Sequence, residues 1–203
     1  GVHYELGHGV KPNTSKALQY YLKAAQQDYA PSQYKLSCFY AQGYGVEVDT
    51  LESIQWLRLA AQQGLPEAQY DLAHHYTHGL GLEQDLSQAA LWYERAAQQG
   101  HVLAQATLAS LYEHGLGVVA DSIQAAYWYE QAAQNGHLEA QNSIGRCYEQ
   151  GYGVKADPIE AFRWYQQAAE GGLLEAQCNL ARCYMNGIGV MRSASDAASW
   201  YRK

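Results

Sequence analysis

Apolar positions along this chain fall into two helical runs that recur as a pair. Across residues 66 to 100 the first run sets Ala68, Leu72, Ala73 and Tyr76 at spacings of three and four, the period of one helix face. It predicts a helix from Pro66 to about His78, termed helix A. Pro66 is tolerated in the first turn because a first-turn N–H has no intrahelical partner to lose. Gly79 offers the positive φ that closes a helix C-terminus, and residues 79–84 read as a loop. The second run, Ala89, Trp92, Tyr93, Ala96 and Ala97, predicts helix B. Asp85 stands where an N-cap accepts from a free backbone N–H, and Gly100 stands at the stop.

The pair returns every 36 residues. Trp56, Trp92, Trp128, Trp164 and Trp200 keep that spacing, and Tyr20 fills the slot one copy earlier. Tyr4, Tyr40, Tyr76, Tyr112, Tyr148 and Tyr184 keep it too, each followed by a Gly-x-Gly such as Gly43/Gly45 or Gly151/Gly153. The cap slot holds Asp49, Asp121 and Asp157, with Asn13 and Ser193 as cap-competent replacements. The helix B stop holds Gly64, Gly136 and Gly172, with Asp28 as the exception. The pairs Ala60/Ala61, Ala96/Ala97, Ala132/Ala133 and Ala168/Ala169 let helices approach closely, and the Trp and Tyr rings fill the gaps between layers. One helix pair cannot bury both of its faces, so the copies must stack. The expected fold is all-α: a right-handed α-solenoid superhelix of antiparallel helix pairs, one array over residues 1–203 with a concave and a convex face.

Composition narrows the function classes. Lys plus Arg is 13 and Asp plus Glu is 20, a net charge of -7. That argues against nucleic acid, which needs a basic face. No apolar stretch approaches the roughly 20 residues that span a bilayer. A hydrophobic content of 48% excludes a disordered tail. The excess of tyrosine (18) over phenylalanine (2) has its cause in the repeat. Gly1 falls in mid-repeat and is not Met, so the chain reads as an excerpt of a longer protein. The lack of a signal segment therefore says little about compartment.

One copy reads Ala104, Leu108, Ala109, Tyr112, Gly115, Gly117, Val118, Asp121, Ala125, Trp128, Tyr129, Ala132, Ala133 and Gly136. This pattern resembles the Sel-one-like repeat family, a tetratricopeptide-like branch of helical repeats, over nearly the whole chain. A plain tetratricopeptide repeat would run 34 residues, and the extra length lies in the Gly-x-Gly loop. The first copy departs most, with Tyr20 for Trp and Lys11-Pro12-Asn13 in its loop. The resemblance implies a non-enzymatic protein–protein interaction scaffold or adaptor. Such proteins are common in bacteria, often exported or envelope-associated, and also serve eukaryotic membrane-protein quality control. A cysteine-rich subset of the family staples each helix pair with a disulfide and is linked with β-lactam binding; this chain lacks that cysteine pattern. A cell-envelope enzyme or a β-lactam- or peptidoglycan-binding relative stands as the alternative.

Constant positions report packing, so positions that differ between copies on a regular face are the better functional candidates. On helix A, offsets of -6, -2 and +1/+2 from the repeated Tyr share one stripe. The resemblance places helix A on the concave groove. The stripe predicts a surface for a protein or peptide partner carried by Tyr34, Tyr70, His74, His78, Ser110, Glu113, His114, Arg146, Glu149 and Arg182. Tyrosine and arginine suit such a role because they combine area with directed hydrogen bonds, and Arg146 with Arg182 makes one end locally positive. Gln33, Gln69, Gln105, Gln141 and Gln177 recur at offset -7 and are expected to tie helix A to nearby backbone.

His74 and His78 have the i, i+4 spacing of a zinc pair, and His114 repeats His78 one copy on. There is no HExxH glutamate and no evident third ligand, so no metal and no cofactor is expected. Cys147 and Cys183 occupy one slot in successive copies, beyond the ~7 Å reach of a disulfide. With Cys38 and Cys178 they are expected to be free thiols acting as small hydrophobes. No nucleophilic triad, paired-carboxylate site or phosphate loop emerges. The chain is expected to be a monomer, with end-to-end contact through its broken terminal copies as the route to association.

Overall fold

A computed structural model describes residues 1–202. Twelve α-helices and no strand occur among the described residues. The helices are α1 (Val2–Leu6), α2 (Thr14–Ala25), α3 (Ala30–Gln42), α4 (Thr50–Gln62), α5 (Pro66–His78), α6 (Leu86–Gln98), α7 (Val102–His114), α8 (Ser122–Gln134), α9 (Leu138–Gln150), α10 (Pro158–Glu170), α11 (Leu174–Asn186) and α12 (Ala194–Tyr201). Odd numbers are helix A and even numbers helix B. The expected span of helix A is met by α5 residue for residue.

The ends of the helices are set by the punctuation in the sequence. Asp121 Oδ1 accepts from the N–H groups of Ile123 and Gln124 at the start of α8. Asp49, Asp85, Asp157, Asn13 and Ser193 cap their own helices in the same way. At the end of α9 Gly151 takes φ 70 and its N–H returns to the Cys147 carbonyl. The loop then closes when the Asp157 N–H bonds the Tyr148 carbonyl. Asp49, Asp85, Asp121 and Ser193 bond Tyr40, Tyr76, Tyr112 and Tyr184 likewise. One bond between the repeated Tyr and the cap residue thus holds the loop at constant length. Gly153 (φ 71) lies so close to Ser122 that a Cβ there would run into its carbonyl. Asp28, the exception at the helix B stop, also takes a left-handed backbone, φ 58. Asp is among the few residues with a side chain that visit this region.

The chain divides into two compact units, Gly1–His101 and the residues from Val102 onward. In the first, each helix packs on its successor from α1 to α6; in the second, from α7 to α12. The core is small residues and rings. The alanine pairs that end helix B are all buried, as are Ala68, Ala73, Ala140, Ala176 and Ala181 on helix A. Tyr165, Leu180 and Cys183 lie at the centre of the second unit, and Tyr21, Leu36 and Phe39 in the first.

The tryptophans sit shallower than expected. Trp92 and Trp128 are buried at 8% exposure, but Trp56, Trp164 and Trp200 are only half-buried. The residue after the Trp goes deeper: Leu57, Tyr93 and Tyr165 are 1%, 2% and 0% exposed. The indole instead meets polar groups near the surface. Trp56 Nε1 donates to Glu52, and the Arg95 guanidinium stacks over the Trp92 ring at 4.4 Å.

Candidate partner-binding site

The stripe on helix A begins from a local rule of the repeat. The deep tyrosine of helix B carries a hydroxyl that must find a partner when buried. It finds one on the preceding helix A, 16 residues earlier, one position past the repeated Tyr. Tyr21 donates to Glu5, Tyr129 to Glu113 at 2.6 Å and Tyr165 to Glu149 at 2.8 Å. In the next variant Thr77 donates to the Tyr93 hydroxyl at 3.4 Å. Where the ring is replaced by Leu57, the matching residue is Ala41, which needs no bond. Burial and the facing carboxylate both push the Tyr129 and Tyr165 hydroxyls far above their ordinary range, so they remain donors.

Two further kinds of contact run from one helix A to the next. The residue at offset -6 bonds the residue at offset -5 of the following copy. The Tyr34 hydroxyl donates to Asp71 at 2.7 Å, and Asn179 Nδ2 donates to Asn142 Oδ1 at 2.8 Å. The residue at +1 meets the residue at -2 of the following copy. Arg182 Nη1 and Nη2 donate to the two oxygens of Glu149, both at 2.6 Å, while Arg146 Nη2 stands 3.6 Å from Glu113 Oε1. The Arg182 fork and the Tyr165 hydroxyl hold the Glu149 carboxyl below its ordinary pKa, against the effect of burial. The same hydrogen bonding from Glu149 raises Arg182.

The ten expected stripe residues therefore divide. Glu149 and Arg182 satisfy each other and stitch α9 to α11, so the charge that Arg182 brings to that end of the face is paired. Tyr34 is likewise engaged with Asp71. Glu113 accepts from Tyr129 and faces Arg146. In the first unit Tyr70 stacks on His101 with ring centroids 4.7 Å apart, and the His74 and His78 rings lie 4.3 Å apart. Burial first, and the neighbouring His78 and His75 second, lower the His74 pKa. Among the described residues no group of three His, Cys, Asp or Glu is placed to hold a metal ion. In the second unit His114 Nδ1 donates to the Ser110 carbonyl at 2.9 Å. The exposed members are His78, His114 and, one position beyond Glu149, Gln150; Arg146 is half-exposed.

The recurring glutamines act as expected. Nε2 of Gln33, Gln69, Gln141 and Gln177 donates to the carbonyls of Ala25, Ala61, Ala133 and Ala169, at 3.1–3.3 Å. Gln63 and Gln99 add a bond to the side-chain oxygens of Gln33 and Gln69. The four cysteines are free. Cys147 and Cys183 are buried, which pushes each thiol up to about 11. Cys178 departs from the expectation of a small buried hydrophobe, because it is exposed on α11. No described helix is long and apolar enough to cross a membrane.

Helix B presents a different outer surface. Leu51, Ile123 and Ile159 occupy one slot near its start and are 70%, 66% and 56% exposed. Tyr127 and Leu91 are exposed on the same set of helices. Single exposed apolar residues are ordinary, but their recurrence makes helix B the rival face.

The Sel1 repeat model matches residues 1–29, 30–65, 66–101, 102–137, 138–173 and 174–203. Among solved structures the chain is similar to c5321 of uropathogenic Escherichia coli, described as a protective antigen displaying an SLR fold. The two are 31% identical with a TM-score of 0.90, over 99% of this chain and 43% of that one. A Sel1 repeat protein from Oxalobacter formigenes is 35% identical with a TM-score of 0.83, over 92% of this chain and 79% of that one. Cysteine rich protein B of Helicobacter pylori is 25% identical with a TM-score of 0.50, over 66% of this chain and 96% of that one. This chain thus spans less than half the length of the E. coli antigen. No curated protein matches it.

Proposed function

The chain belongs to the Sel1 repeat family, and from that premise we propose that it is a non-enzymatic scaffold that holds a protein or peptide on the helix A face. Sel1 repeat proteins are generally protein-interaction scaffolds. The observation that carries the finer reading is the contrast within each copy. Caps, alanine pairs, glutamine ties and loop closures recur almost unchanged, whereas the helix A stripe changes between copies: offset -2 reads Cys38, His74, Ser110, Arg146 and Arg182. A constant frame with a varied polar face is how a stacked repeat presents a specific surface.

The test is affinity capture from a lysate of the source organism. The wild-type chain is compared with His74→Ala/His78→Ala in the first unit and Arg146→Gln/Gln150→Ala in the second. Circular dichroism checks that both variants fold. A protein retained by the wild type and lost by either variant supports the helix A face. Equal retention by all three overturns it and moves binding to the exposed apolar residues of helix B or to the loops.

A further inference from the structure

The second unit contains the same Arg–Glu slot pair twice, and the two pairs are not equivalent. At Arg182 the guanidinium is closed by two 2.6 Å bonds to Glu149. At Arg146 the only ion-pair contact among the described residues is Nη2 to Glu113 Oε1 at 3.6 Å, too long for a hydrogen bond. The other Glu113 oxygen is held by the Tyr129 hydroxyl. Arg146 Nε is buried and has no hydrogen-bond partner among the described residues. Beside it lies a cavity of about 170 Å³ lined by Glu113, Ser143, Arg146, Cys147, Gln150 and Tyr152.

We propose that Arg146 and this cavity bind a carboxylate of the partner, either an acidic side chain or a peptide C-terminus. The inference rests on the scaffold reading and names the chemistry of what is held. A guanidinium presents parallel N–H groups that match the two oxygens of a carboxylate, and such charge-assisted pairs are the strong ones. The Arg146 side chain is 43% exposed and Glu113 stands beyond hydrogen-bond distance, so a carboxylate entering from solvent supplies a partner that the protein itself does not. Ser143, Gln150 and Tyr152 add neutral polar groups around the ion. The Cys147 thiol stays protonated because burial raises it to about 11, so it adds no opposing charge. Glu113 is the internal rival for Arg146. Its charge also disfavours a doubly charged phosphate in the same place.

The test is a nuclear magnetic resonance titration of the whole chain, following the arginine Nε–Hε signals. Three alanine pentapeptides serve as probes: one blocked at both ends with a central glutamate, one with a free C-terminus and no glutamate, and one blocked and neutral. The Arg146 signal is expected to shift saturably with at least one acidic peptide and not with the neutral one, while Arg182 stays in place. Which acidic peptide binds separates side chain from C-terminus. Arg146→Gln is expected to weaken binding about tenfold, the worth of one charge-assisted hydrogen bond. Glu113→Gln is expected to strengthen it several-fold by removing the rival, a gain that misfolding cannot produce.

A stationary Arg146 signal, or weaker binding in Glu113→Gln, overturns the proposal. A flat titration beside a captured partner removes this inference and leaves the scaffold. A saturable titration with no captured partner removes the scaffold reading and leaves a small-carboxylate site.

Discussion

Replacing Glu149 and Arg182 singly and together measures how far the helix A stripe is internal stitching. Glu149 accepts two bonds from Arg182 at 2.6 Å and one from the Tyr165 hydroxyl at 2.8 Å. Glu149 is 17% and Arg182 38% exposed at the side chain, so the pair lies between the surface and buried limits. Exposed pairs contribute ~1 kcal/mol or less, and breaking fully buried ones costs ~3–5 kcal/mol. Discounting for the exposure of Arg182, either Glu149→Gln or Arg182→Met should cost about 2 kcal/mol, because each leaves a partner desolvated.

The double variant should cost only about 2.5 kcal/mol, giving a coupling of about 1.5 kcal/mol. Urea unfolding followed by circular dichroism and by tryptophan fluorescence gives these values where the two transitions coincide. The Glu149 carboxyl is held below its ordinary value of 4.5 by Arg182. Its contribution is therefore complete above that value and is lost as pH falls through the lower folded one. Single costs that simply add at neutral pH, or a coupling that survives protonation of Glu149, would mean that the pair does not stitch α9 to α11.

Other outcomes follow from the same frame. Asp121→Ala removes the cap on Ile123 and Gln124 and should cost about 1 kcal/mol in urea unfolding. Gly136→Ala meets open space and should cost only the ~1–2 kcal/mol of a left-handed residue, while Gly153→Ala must also displace Ser122 and should cost clearly more, read by the same assay. With an aromatic disulfide reagent at neutral pH, Cys178 should label first, and Cys178→Ser should abolish the fast phase. Cys147 and Cys183 should react only on the timescale of unfolding, since both are buried with raised pKa values.

The frame was legible because its signals are local. A glycine after the repeated Tyr, an aspartate before helix B and an alanine pair at its end each act within one turn. The span of α5 and the caps at Asp85 and Asp121 could therefore be read residue by residue. The stripe was legible only as a set of positions. What each residue does there depends on a partner 33 or 37 residues away, across a helix boundary. Arg182 reads as part of a locally positive end until Glu149 is placed beside it.

A signal was present in the chain itself. Tyr129/Glu113, Tyr165/Glu149, Tyr93/Thr77 and Leu57/Ala41 change together at a fixed spacing of 16, which marks a buried hydroxyl and its hydrogen-bonding partner. The shallow tryptophans were missed for a related reason. Size suggested filling, whereas the Trp56 indole keeps a polar partner, Glu52, near the surface.

Site-specific photo-crosslinking in the source lysate reads out whether helix A carries the partner. A photoreactive residue replaces His78, His114 or Gln150 on exposed helix A positions, or Ile123, Tyr127 or Ile159 on the outer surface of helix B. One discrete adduct is expected from the first set and none from the second. An adduct confined to the helix B positions would put the partner on helix B instead.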